Sequence, residues 1–188
     1  HTIYVVFWSA KILLLFLIIS NKIQKNYKKI VLNPLPEKSD MENHQNSWNA
    51  NYIAIHGKKC WVLTHSQTRY TVIVPDIKVK AIENFLNYFL DNLINQLIKK
   101  HIVDSEKILK LIGEIKFFPT NNDRSCIAYN NKRIEEIEYW KYEFDDFDEI
   151  SFWMIGSNIN ELGTMLRNGK SEFIRPTTEI LNLINASA

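Results

Sequence analysis

Between Trp48 and Pro75 the chain reads WNANYIAIHGKKCWVLTHSQTRYTVIVP, three apolar stretches of strand length separated by two short polar turns. Strand-length apolar runs joined by tight polar turns pair with their neighbours in sequence, so the segment predicts a three-stranded antiparallel meander. The turns fall at His56-Gly57-Lys58-Lys59 and Ser66-Gln67-Thr68-Arg69, and Ile53, Ile55, Trp61, Leu63, Val72 and Val74 are the expected buried positions. Such a scaffold sets basic and polar side chains at the ends of a sheet. By itself it specifies no reaction.

The segments around the meander read as helices and short strands. After Pro75-Asp76, apolar residues recur at Ile82, Phe85, Leu86, Phe89, Leu90, Leu93, Ile94, Leu97 and Ile98. That recurrence is helical, with one face apolar. A second helix is expected near Ser105–Leu111, a short strand at Ile115–Pro119, and a long helix from Arg124 through Ile134–Phe144 that Asp145–Glu149 ends or kinks. An apolar helical patch at Ile150–Ile155, a polar turn with Asn158 and Asn160, and a helix after Pro176 complete the chain. The sum is an α+β fold, an antiparallel sheet packed by several helices.

The apolar run Ile3–Ser20 has the length of a minimal membrane span but carries Lys11 at its centre. A charge there is unfavourable in lipid, so the run is read as a buried strand, Ile3–Trp8, then a buried helix, Lys11–Ile19, capped by Ser9. No stable membrane insertion is expected. Residues 21–46 are polar, with lysines and two prolines, and read as a surface connection.

A chain of 188 residues suits one compact unit spanning 1–188. A net charge of +2 leaves nucleic acid open as a partner without demanding a polyanion. The two cysteines, Cys60 and Cys126, have neither metal-ligand spacing nor the density of a secreted disulfide framework, which favours a reducing cytoplasm. None of the five glycines forms a phosphate-cradling motif, and no cofactor or metal is expected.

Several local motifs carry a family resemblance. Trp48-Asn49-Ala50-Asn51, Lys58-Lys59-Cys60 and Thr68-Arg69-Tyr70, with Ala10-Lys11-Ile12-Leu13 upstream and Asn122-Asp123-Arg124-Ser125 and Asn158-Ile159-Asn160 downstream, resemble an uncharacterised bacterial family classified as a domain of unknown function. The likeness spans most of the chain at low identity. Two positions depart from the family pattern: Asn49 stands where a His is frequent, and Asp123 intervenes in the Asn-Arg-Ser element. The resemblance implies a single soluble fold and supplies no activity.

Candidate chemistry concentrates at the turns. Lys58, Lys59, Thr68, Arg69, Tyr70 and Arg124 are the candidate binding surface, forming one patch where the fold brings the meander to the long helix. Guanidinium groups match phosphate oxygens, while threonines, serines and arginines at turns and caps also serve the backbone. An enzymatic alternative would use His65 or His56 with Tyr70 and Arg124 in phosphodiester or nucleotide chemistry, since imidazole transfers protons near neutral pH. The leading expectation is a bacterial or phage-associated, non-enzymatic module that binds a macromolecule, most readily another protein.

Overall fold

A computed structural model describes residues 15–34, 47–100, 108, 115–120, 123–168 and 170–186. The meander is present as β2 (Ser47–Ile55), β3 (Lys58–His65) and β4 (Thr71–Val74), with Trp48 opposite His65 and Trp61 opposite Val74. Two further strands, β1 (Leu15–Ile19) and β5 (Ile115–Phe118), complete a five-stranded sheet of order β4-β3-β2-β1-β5. The fold is α+β, but the sheet is mixed: β1 runs parallel to both β2 and β5. A parallel pair needs a crossover of a dozen residues or more, and the segment after Ile19 supplies it. Its first part is not plain connection, because Asn21–Asn26 forms a short helix, α1, and Tyr27 is buried.

The helix expected over Lys11–Ile19 is overturned where it can be seen, since Leu15–Ile19 is strand. A strand flanked on both edges and covered on both faces has no polar side to alternate with, so its apolar run carries no strand period. Ile3–Trp8 and Ser9 lie outside the described residues; the helix cap found in this region is Ser20, whose Oγ accepts from the Ile23 amide at 3.3 Å. The remaining helices are α2 (Phe85–Lys100), α3 (Arg124–Trp140), α4 (Phe152–Glu161) and α5 (Pro176–Ala186). Of the helix expected near 105–111, Ile108 alone is described, helical and buried. Asn158 and Asn160 belong to α4 rather than to a turn. A separate hairpin, β6 (Thr164–Asn168) with β7 (Lys170–Ile174), follows it.

Alternation along the strands divides the sheet into two faces. Trp48, Ala50, Tyr52, Trp61, Leu63, Val72 and Val74 pack with Leu17 and Ile19 against α2 and α5. On α2 the contact residues Phe85, Phe89, Leu93 and Leu97 are four apart, one stripe of the predicted amphipathic helix. Trp48 meets Phe89 edge-on at 5.0 Å and Trp61 meets Tyr27 at the same distance, so both tryptophans are core residues. The opposite face carries Ile53, Ile55, Cys60, Val62 and Ile73 against Ile137 of α3 and Phe152, Ile155 and Ile159 of α4.

β4 ends the sheet, and an open strand edge presents unpaired backbone groups. Here α2 and α4 close it with side chains. Asn160 Nδ2 donates to the Thr71 carbonyl at 2.8 Å and its Oδ1 accepts from the Thr71 amide at 2.8 Å. Gln96 Nε2 donates to the same carbonyl at 2.8 Å. The helices approach so closely that a Cβ on Gly156 would lie 2.5 Å from Gln96 Oε1.

Candidate functional site

β1 and β5 point their carboxyl ends the same way, and a crevice outside the carboxyl ends of parallel strands is a common ligand position in α/β sheets. A cavity of about 250 Å³ opens there, bounded by the end of β1, the middle of β2 and α3. Ile18 and Ile127 give it an apolar floor, and Asn21, Asn49, Asn51, Asn130 and Asn131 with Ser20 and Thr120 form its polar walls. Among the described lining residues none is charged. Strand alternation sets Asn49 and Asn51 on one face of β2, while Ile127, Asn130 and Asn131 share one side of α3.

The inner amides are held by the sheet. Asn130 Nδ2 donates to Asn49 O at 3.3 Å, Val62 O at 3.1 Å and Thr64 Oγ1 at 3.0 Å. Those three acceptors fix which way the amide faces. Its Oδ1 accepts no hydrogen bond among the described residues. Asn49 Nδ2 donates to Ser66 Oγ and to Cys126 Sγ, both at 3.0 Å. Asn51 Oδ1 accepts from Ser20 Oγ at 3.0 Å and from the Tyr52 amide at 2.9 Å. Asn21 and Asn131 are exposed at the rim. The site is therefore a preorganised, neutral array of donors and acceptors over an apolar base. It suits a flat, uncharged hydrogen-bonding group.

The turn residues predicted from sequence are divided between two places. Lys58 and Lys59 begin β3, whereas Thr68, Arg69 and Tyr70 follow its far end, about 25 Å away at ~3.3 Å per residue. Lys58 Nζ pairs with Asp148 at 3.1 Å and stands 4.1 Å from the Phe147 ring centre. Lys59 Nζ lies 5.4 Å from both the Tyr27 and the Tyr52 ring centres. The second group is buried. His65 Nδ1 accepts from the Thr68 amide at 3.2 Å and meets Thr68 Oγ1 at 2.9 Å, and Thr68 Oγ1 accepts from the Tyr70 amide at 3.2 Å. These bonds clip the turn that carries Arg69 at φ 61°, a left-handed conformation uncommon for a bulky residue. Burial pushes the Tyr70 phenol's pKa well up, and Gln96 Nε2 donates to it at 3.3 Å.

The meander and α3 do meet, through Arg69 Nη2 donating to Ser125 Oγ at 3.1 Å. Asp123 caps α3, accepting from the Cys126 amide at 3.0 Å, and Arg124 is exposed at the helix start. The enzymatic set is not assembled: His56 is exposed at the opposite end of β3, His65 packs on Trp48 at 5.0 Å, and Tyr70 faces the core. Burial pushes the Cys60 thiol up to about 12 and Cys126 to about 11, so both are held as neutral thiols. Among the described residues no group of three or more His, Cys, Asp or Glu could hold a metal ion, and no helix is long and apolar enough to cross a membrane.

A family model covers residues 17–179, from β1 into α5. The chain belongs to the domain-of-unknown-function family DUF6933. No curated protein matches it. The DUF6933 span takes in β1 from Leu17, all of β2 to β5 and the whole cavity wall, and two motifs of the family resemblance converge on that wall. Asn49, Ala50 and Asn51 of the first motif line the cavity, and the helix capped by Asp123 and begun by Arg124-Ser125 contributes Ile127, Asn130 and Asn131. Sequence reasoning passed over these asparagines. Two amides at alternate positions of an otherwise apolar strand were the available signal.

Proposed function

We propose that this DUF6933 protein is a non-enzymatic binding module, and that its amide-lined cavity receives a carboxamide or peptide edge presented by a partner protein. The observation that carries the reading is the Asn130 side chain. Its donors are spent on the sheet, and its carbonyl oxygen is left as an acceptor in a cavity walled by further amides. Fixed neutral donors and acceptors recognise neutral polar groups with little reorganisation. The small net charge agrees with a partner that need not be polyanionic. Arg124 stands at the exposed start of α3, one turn before Ile127, and belongs to the surface around the mouth. Lys58 and Lys59 lie at the far end of β3 and form a separate basic surface. The same reading takes 1–188 as one folded unit in a bacterial or phage-infected cytoplasm, supported by two buried, unpaired cysteines.

The test is affinity capture from nuclease-treated native lysate with wild type, Asn21→Ala/Asn131→Ala and Lys58→Ala/Lys59→Ala. The expected result is one nuclease-resistant protein, lost with the asparagine pair and kept with the lysine pair, at unchanged melting temperature for the first. Capture indifferent to the asparagine pair would remove the assignment.

A further inference from the structure

On α3, Ser125, Tyr129 and Arg133 are spaced four apart, so they form a stripe along one flank of the helix. Ile127, Asn130 and Asn131, which line the amide cavity, look the other way. Arg69 reaches this flank from the β3–β4 turn through its bond to Ser125. Arg69, Tyr129 and Arg133 are 5%, 9% and 1% exposed. Arg69 Nη1, Arg133 Nε and the Tyr129 hydroxyl are all buried, and none makes a hydrogen bond among the described residues. Leaving the N–H of a charged group without an acceptor in the interior is strongly unfavourable.

Several contacts place the three groups together. The Arg133 guanidinium lies 4.5 Å over the Tyr129 ring. Burial raises the Tyr129 phenol to about 12, Arg133 pulls it down by its charge and its side-chain contact with the phenol, Glu136 pushes it up, and Arg69 pulls it down more weakly, so both guanidinium groups act on the hydroxyl. Arg133 Nη1 pairs with Glu136, which neutralises one of the two guanidinium charges. Cys126, beside Arg69, is a neutral thiol and neutralises nothing. Asp123 at the start of α3 and Glu136 stand near the two guanidinium groups, and the three donors keep no acceptor among the described residues. Ser125 is exposed next to Arg69, so the cluster has a rim at the surface.

We infer that Arg69, Tyr129 and Arg133 form a binding site for a compact phosphate-class oxyanion, either free or as a terminal phosphate of a small molecule. Guanidinium groups and a phenol donate well to anionic oxygens, and a tetrahedral anion offers an oxygen to each of three donors where a carboxylate has two. The burial of the donors favours a compact anion over the interior of a phosphodiester chain. This site is independent of the amide cavity across the helix.

Titration of the full chain with inorganic phosphate, followed by melting temperature and by ³¹P line width, tests it. Wild type should gain thermal stability with phosphate. Tyr129→Phe keeps the ring and its contact with Arg133 and removes a hydroxyl whose proton has no acceptor among the described residues, so it should fold nearly as stably as wild type without phosphate and bind about 2- to 10-fold more weakly, the worth of one hydrogen bond. Arg69→Lys and Arg133→Lys should lose more; if either fails to fold, Tyr129→Phe still decides. Arg124→Ala and Asn21→Ala/Asn131→Ala should bind phosphate as wild type does, which separates this site from the cavity. Overturning results are no phosphate effect on wild type, equal binding by Tyr129→Phe, or loss of binding in Arg124→Ala. Stabilisation only by an oligonucleotide lacking terminal phosphates would also overturn it.

Discussion

The side chain of Asn160 pairs with the backbone of Thr71 as a neighbouring strand would, giving its amide hydrogen to the carbonyl and taking the Thr71 N–H, each at 2.8 Å. α4 thereby finishes the β4 edge with one residue. Asn160→Ala would leave a buried N–H without an acceptor and open a small cavity, and should destabilise the protein by about 2–4 kcal/mol. Chemical denaturation gives the loss, and hydrogen exchange should show the Thr71 amide losing protection. Unchanged protection at Thr71 would mean that the edge is closed by other means.

Gly156 tests the same edge from the helix side. An added methyl collides with Gln96 Oε1, so Gly156→Ala should destabilise by about 1–2 kcal/mol even though alanine favours helix by up to ~1 kcal/mol. The damage runs through Gln96 and its bond to Thr71. Gly156→Ala should therefore cost little more in a Gln96→Ala background. Simple additivity in the double-mutant cycle would show that the collision falls elsewhere.

The buried thiols predict the alkaline behaviour. Their pKa values are raised in the folded state, to about 11 for Cys126 and about 12 for Cys60, above the ordinary value of 9.0. Below pH 9 both states hold these protons and the stabilisation is full. Above it the unfolded chain releases protons that the folded chain retains, so stability falls as pH rises through 9 to 11, by up to about 1.4 kcal/mol per pH unit for each thiol. Urea melts from pH 8 to 10.5 should show this slope, shallower in Cys126→Ala. An identical slope in that variant would exclude Cys126 as a source.

The basic residues divide into surface and interior. Lys58 pairs with a largely exposed Asp148, and Lys58→Ala should change stability by no more than about 1 kcal/mol. Lys59→Ala loses weak contacts with two ring faces and should cost about 0.5–1 kcal/mol. Arg69→Ala removes the link between the β3–β4 turn and Ser125 and empties the space of a buried side chain, and should cost more than either. Thermal melts of the three single variants check the order.

The meander was legible because two polar turns cut its apolar stretches to strand length, and the α2 stripe because Phe85, Phe89, Leu93 and Leu97 recur every four residues. β1 was not, since LFLII is apolar throughout and lies inside a longer apolar run that no turn divides, between β2 and β5 in the sheet. Thr68, Arg69 and Tyr70 read as surface because polar residues at a turn are usually solvated. The His65–Thr68 clip and α3 instead fold that turn inward. The asparagines of the cavity come from three segments distant in sequence, and β1 running parallel to β2 is what gathers them. That pairing has no local signature.

The place of β1 between β2 and β5 also orders events during synthesis. The meander is complete within residues 47–74, but β1 has a partner on its second edge only when Ile115–Phe118 arrives. At about 5–20 residues per second, the intervening 20–114 occupy the ribosome for roughly 5–20 s. Through that interval the most apolar strand of the sheet carries an open edge, which makes it the segment a nascent-chain chaperone would hold. Ribosome-arrested chains should show residues 15–19 protected only once Phe118 has left the exit tunnel.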